Sequence, residues 1–81
     1  MEFEWDEAKR EEVIRERGVD FILAAQVFLD PDRLEELDGR RDYGEVRKRT
    51  LGWVGNNQLM VVYTMRGDVC RIITAWRAGR K

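Results

Sequence analysis

Five arginines in the second half of the chain, Arg47, Arg49, Arg66, Arg71 and Arg77, are interleaved with apolar residues, and Glu45 stands two residues before the first. A planar guanidinium matches two oxygens of a phosphate at once, so such a set can hold a polyanion and stabilise charge developing on it. Taken singly, each arginine is by default a solvated surface charge. Glu45 can act as general base, or pair with Arg47 and hold it in place. Tyr63 and Thr64 offer hydroxyls on opposite faces of a strand, so only one of them shares the arginine face. Tyr43, in a glycine-punctuated connection, can stack on a base, donate a proton or pack on a sheet. The chain has no histidine and no serine. That removes the commonest general base, the usual zinc ligand and the usual hydroxyl nucleophile. Chemistry must run on carboxylates, Lys, Arg, Tyr, Thr or the single Cys70.

Charge is polarised along the sequence. Residues 1–39 hold thirteen acids and five bases, a net of −8, and residues 40–81 hold three acids and ten bases, a net of +7. Either the basic half builds a polyanion surface, or folding brings the halves together and their fields largely cancel. At 81 residues the chain makes one domain with a modest core, and its 43% apolar content and three Trp argue against disorder. A lone Cys70 on a core-facing strand position suits a reducing compartment and reads as a buried structural thiol. No apolar run approaches the roughly 20 residues of a membrane span, and the acidic start does not look like a signal peptide. A cytoplasmic location is the expectation.

The elements that must position these groups form an α+β pattern. Phe3-Glu4-Trp5 alternates as a short strand; Asp6 caps a helix to about Arg17 that Gly18 ends. Ala8, Val13 and Ile14 give that helix a narrow inward stripe. Asp20 caps a second helix over 21–29, apolar all round, which Asp30-Pro31 terminates. Arg33 to Leu37 reads as a short strand, and Glu45 to Val54 as another that opens with bases. Gly55-Asn56-Asn57 turns the chain into a hairpin of strands 58–65 and 69–76 around Arg66-Gly67-Asp68. Residues 59–65 are apolar on both faces, which places that strand mid-sheet. Alternation in the last strand sets Cys70, Ile72, Thr74 and Trp76 against Val69, Arg71, Ile73, Ala75 and Arg77. Two helices are therefore expected on one face of a largely antiparallel sheet, with Trp5 and Trp53 as packing residues.

Several short motifs, in this order and spacing, resemble the BrnT family of toxin-antitoxin toxins. They are Phe3-Glu4-Trp5-Asp6 with Ala8-Lys9, Gly18-Val19 with Phe21, and Ala25-Gln26-Val27-Phe28. They continue as Arg40 to Arg47, Gly52, Leu59 to Thr64, and Arg71 to Ala75 with Arg77-Ala78. The resemblance implies a RelE-like fold, a ribonuclease activity without metal or cofactor that stops translation, and neutralisation by a dimeric, DNA-binding BrnA-like antitoxin. It also implies RNA as substrate, no membrane partner, and higher-order assembly through antitoxin dimerisation. Arg17, Trp76 and the end at Lys81 depart from the usual pattern, and set a weakened RNA- or antitoxin-binding module as the alternative.

Ribonuclease action needs a base for the 2′-hydroxyl proton, a donor for the leaving 5′-oxygen, and cations for the phosphate. The expected catalytic set is Glu45, Arg47, Thr64, Arg71 and Arg77. Lys9, Tyr43, Arg49 and Arg66 are the expected RNA contacts, Lys9 and Thr64 through their match to the family's motifs.

Overall fold

A computed structural model describes residues 1–39 and 44–79. In chain order it contains β1 (Glu2–Glu4), α1 (Glu7–Arg17), α2 (Phe21–Ala25), a 3₁₀ helix (Gln26–Leu29), β2 (Leu34–Leu37), β3 (Lys48–Val54), β4 (Asn57–Arg66) and β5 (Val69–Arg77). The Asp6 carboxylate accepts from the Ala8 amide at 2.9 Å. Gly18, at φ 69°, closes α1 by donating to the Ile14 carbonyl, a left-handed position that only glycine takes without strain. Val13 is the buried residue of this helix, while Ile14 is 38% exposed, so the inward stripe is narrower still than its sequence suggests.

Asp20 caps α2 by accepting from the Ile22 amide. The expected helix over 21–29 tightens after Ala25 into the 3₁₀ turn, and leaves Ile22 and Leu29 exposed. Arg10 donates from Nε and an Nη to both Asp20 oxygens, at 2.8 and 3.0 Å, tying α1 to the start of α2. The Arg10 guanidinium, followed by the Ile22 amide, holds the Asp20 carboxyl below its ordinary range. A lowered folded-state pKa means the unfolded chain takes the proton more readily. The stabilisation is therefore complete above the unfolded pKa and lost as pH falls through the folded one. Asp20→Asn is expected to melt below wild type at neutral pH, with the gap closing as the pH is lowered through the acid range. Thermal melts followed by circular dichroism check this.

The sheet has five strands in the order β1-β5-β4-β3-β2. β1 runs parallel to β5, and the other pairs are antiparallel. β4 sits in the middle, as its two apolar faces require, with Leu59, Val61, Val62, Tyr63 and Thr64 all buried. Val13, Val19, Phe21, Ala24 and Val27 from the helical layer pack on Leu59, Val61, Ile72 and Ala75. Phe28 lies edge-on to Tyr63 at 5.0 Å, and Trp5 edge-on to Phe21 at 6.0 Å. Cys70 is fully buried, and burial pushes its thiol up to about 11. It is the structural thiol expected.

One irregularity changes which residues share a face. Val62 pairs with Thr74 but Tyr63 with Ile72, so Ile73 has no opposite number. A bulge of this kind reverses the alternation beyond it. Ala75 consequently joins the core opposite Val61, and Arg77 falls opposite Leu59 on the helix side. Arg71 stays opposite Thr64 on the other side. The expected shared face for Arg71 and Arg77 is thus corrected by the bulge. A second correction concerns Trp53, which is 53% exposed on the face away from the helices.

Candidate active site

The parallel pairing of β1 with β5 sets Glu4 opposite Arg71 and starts α1 beside the middle of β5. The chain segment entering β3 then crosses near the same place, because the Thr64 hydroxyl donates to the Val46 carbonyl at 2.7 Å. Together these pieces enclose an open cleft of about 330 Å³, lined by Asp6, Lys9, Glu45, Arg47, Arg66, Arg71, Ile72 and Ile73. Five of the residues singled out in the sequence therefore meet: Lys9, Glu45, Arg47, Arg66 and Arg71.

Glu45 is the hub of this cleft. One oxygen lies 3.0 Å from Arg47 Nε and the other 3.8 Å from an Arg66 Nη. Arg71 meets Glu4 at 3.2 Å, and Lys9 meets Glu12 at 3.5 Å. Both sequence readings of Glu45 remain compatible with this geometry, since a carboxylate held by arginines is positioned whether or not it takes a proton. The lining includes four cations and two carboxylates, and Asp6 is engaged as the α1 cap. These pairs are half-exposed and open to the cleft, so a phosphate can displace or join them.

Thr64 is buried and lines the adjoining hollow of about 400 Å³ with Glu45, Val46, Lys48 and Met65. Its hydroxyl is already committed to Val46, which fixes the segment carrying Glu45 and Arg47 against β4. Arg49 lies on β3 with Nε 2.7 Å from Glu36. Arg77 is at the far end of the sheet, its guanidinium 2.7 Å from the Asn57 side-chain oxygen. Six residues of strand separate it from Arg71, on the order of 20 Å. Tyr43 falls outside the described residues. Tyr63 is buried on the helix side, and burial together with its bond to Glu35 raises its hydroxyl well above the ordinary range.

One contact has no local signal in the sequence. Arg17, at the end of α1, donates to the Thr74 hydroxyl and the Ala75 carbonyl at 3.1 and 3.2 Å. Its guanidinium carbon lies 5.6 Å from the centroid of the Trp76 ring. Two of the departures noted in the sequence thus meet, and a cation stands beside the tryptophan. Ion pairs between the halves, such as Arg71 with Glu4 and Arg49 with Glu36, offset part of the charge polarity. The cleft keeps its cationic excess.

Among the described residues no group of three or more His, Cys, Asp or Glu is arranged to hold a metal ion. No helix among them is long and apolar enough to cross a membrane. A family model described as ribonuclease toxin, BrnT, of type II toxin-antitoxin system matches residues 5–81. A search of curated proteins finds no match.

Proposed function

Because the chain belongs to the BrnT family of ribonuclease toxins of type II toxin-antitoxin systems, we propose that it cuts RNA internally in the Lys9–Glu45–Arg47–Arg66–Arg71 cleft. The observation that carries this reading is the Glu45 carboxylate held between Arg47 and Arg66 in a cleft with more cations than acids. In the reaction the 2′-oxygen attacks the neighbouring phosphorus while its proton passes to Glu45. The bond from phosphorus to the 5′-oxygen breaks, leaving a 2′,3′-cyclic phosphate on one fragment. Lys9 delivers a proton to the departing oxygen, a role closed to arginine, which does not give up its proton. Arg47, Arg66 and Arg71 neutralise charge building on the phosphate oxygens.

Thr64 serves by holding the Glu45–Arg47 segment in place. Arg49 extends the track for the RNA backbone along the sheet, Tyr43 stacks on a base, and Arg77 makes an outlying contact. The lining cations supply the electrostatic work themselves, so cleavage proceeds in the presence of a chelator. Loss of RNA arrests translation in the cytoplasm, and a BrnA-like antitoxin that dimerises restrains the toxin in a larger complex.

Glu45→Gln tests the assignment, since it keeps the shape and removes the base. Cleavage should slow by about 100-fold or more. RNA affinity should hold or rise, because a negative charge leaves the cleft, and should fall steeply with salt. Cleavage at the wild-type rate would remove Glu45 from the chemistry. The binding-module alternative instead expects RNA affinity with no cutting by the wild-type chain.

A further inference from the structure

The strand registers align an apolar row across the sheet face away from the helices. Leu34 of β2 is opposite Leu51 of β3, Leu51 opposite Met60 of β4, and Met60 opposite Trp76 of β5. With strands about 4.8 Å apart, this belt spans roughly 14 Å. Leu34, Leu51 and Met60 line a shallow groove of about 160 Å³ with Glu35, Glu36 and Arg49. Trp53 extends the belt toward one end of the sheet, opposite Gln58. Leu34 is 69% exposed and Trp53 is 53% exposed, with Leu51, Met60 and Trp76 half-buried beside them, and apolar side chains grouped in this way on one face mark an interaction surface.

The next row along the strands is Glu36, Arg49, Val62 and Thr74, and the one after pairs Thr64 with Arg71. Met60 and Thr64 are four residues apart, about 13 Å along the strand. One row of the sheet therefore separates the belt from the row that carries Arg71. A segment lying on it would reach the cleft within the length of a short helix. We propose that this belt is the docking surface for an amphipathic segment of the antitoxin, apolar on the belt and acidic where it continues over Arg49, Arg71 and Arg66. Docking there places acidic side chains against the cations that would otherwise bind the phosphate.

The occupant follows from chemistry and continuity. Leu34, Leu51 and Met60 give the centre of the belt an aliphatic surface that fits apolar protein side chains, with Trp76 and Trp53 as aromatic ends. Acidic flanks complement the adjoining arginines, whereas a second copy of this chain would bring its own arginines to the same rows. The inference rests on the toxin-antitoxin reading for the identity of the partner, and its test reads binding independently of cleavage.

The experiment measures affinity by calorimetry between the toxin and the separately purified antitoxin encoded beside it. It compares wild type, Leu34→Glu, and Leu34→Glu with Trp53→Glu. The double variant should bind about 100-fold more weakly, in the range of losing a small hot spot, and should cut RNA at the wild-type rate. Ile22→Glu with Leu29→Glu, exposed apolar residues of the helical layer, should leave both unchanged. Undiminished antitoxin affinity in the double variant would overturn the proposal. So would a loss confined to RNA affinity, which would mark a nucleic-acid surface. A wild-type dimer in sedimentation that the variant breaks, with antitoxin binding intact, would assign the belt to a second copy. The single variant at the edge strand keeps the test valid if the double variant folds poorly. Should the wild type bind antitoxin through the belt yet cut no RNA, the nuclease reading fails and the belt stands.

Discussion

Arg71→Ala is expected to lower RNA cleavage by about 100- to 1,000-fold, the usual consequence of deleting a group that stabilises charge in the transition state. Cells expressing it should grow where wild-type expression arrests them, and their total RNA should stay intact. The fold should survive, because the partner of Arg71 is the partly exposed Glu4 at 3.2 Å, and such a pair contributes about 1 kcal/mol at most. A melting temperature close to wild type therefore has to accompany the lost activity. Cleavage that persists in this folded variant would move the chemistry away from the cleft. The same substitution at Arg77, at the far end of the sheet, should cost much less.

Gly52→Ala should damage the fold instead. A Cβ at Gly52 would lie 2.9 Å from Val27 Cγ1, 3.1 Å from Arg33 Cβ and 3.1 Å from Asp30 Oδ2. Those atoms are not free ends of mobile side chains. Val27 is fully buried, and Asp30 Oδ2 accepts the Trp53 amide at 2.9 Å. The 3₁₀ segment rests on β3 at this glycine, and relief requires moving it. Overpacking of this kind costs about 1–3 kcal/mol, against a backbone gain of about 0.5–1 kcal/mol from replacing glycine inside a strand. The balance is destabilising, and a drop in melting temperature of several degrees is expected for a domain this small. A variant as stable as wild type would show that the close approach is not needed.

Much of the architecture was legible because its signals are local. Asp6 and Gly18 bracket α1 with a cap at each end, Gly55 and Gly67 mark the two hairpin turns, and residues 59–64 read as the central strand. The bulge at Ile73 was not legible. Ile72-Ile73-Thr74 contains no glycine or proline to announce it, yet it turns Ala75 inward and parts Arg77 from Arg71. Alternation also cannot say which face of a strand the helices will cover, so Trp53 read as packing and is exposed. The site followed the same division. Glu45 and Arg47 are neighbours in sequence, and their contact could be anticipated from spacing. Lys9 shares their cleft only because β1 joins β5 in parallel and starts α1 there. The approach of Arg17 to Trp76 depends on the same long-range packing.

The central claim is that RNA phosphate binds among Arg47, Arg66 and Arg71. It is tested most directly by following the arginine side-chain Nε–H resonances during titration with an RNA oligonucleotide carrying 2′-O-methyl groups, which binds but cannot be cut. The three cleft arginines should shift together and saturably, and the effect should fade as salt is raised. Shifts confined to Arg77 and the Trp53 indole, with the cleft arginines unmoved, would contradict it.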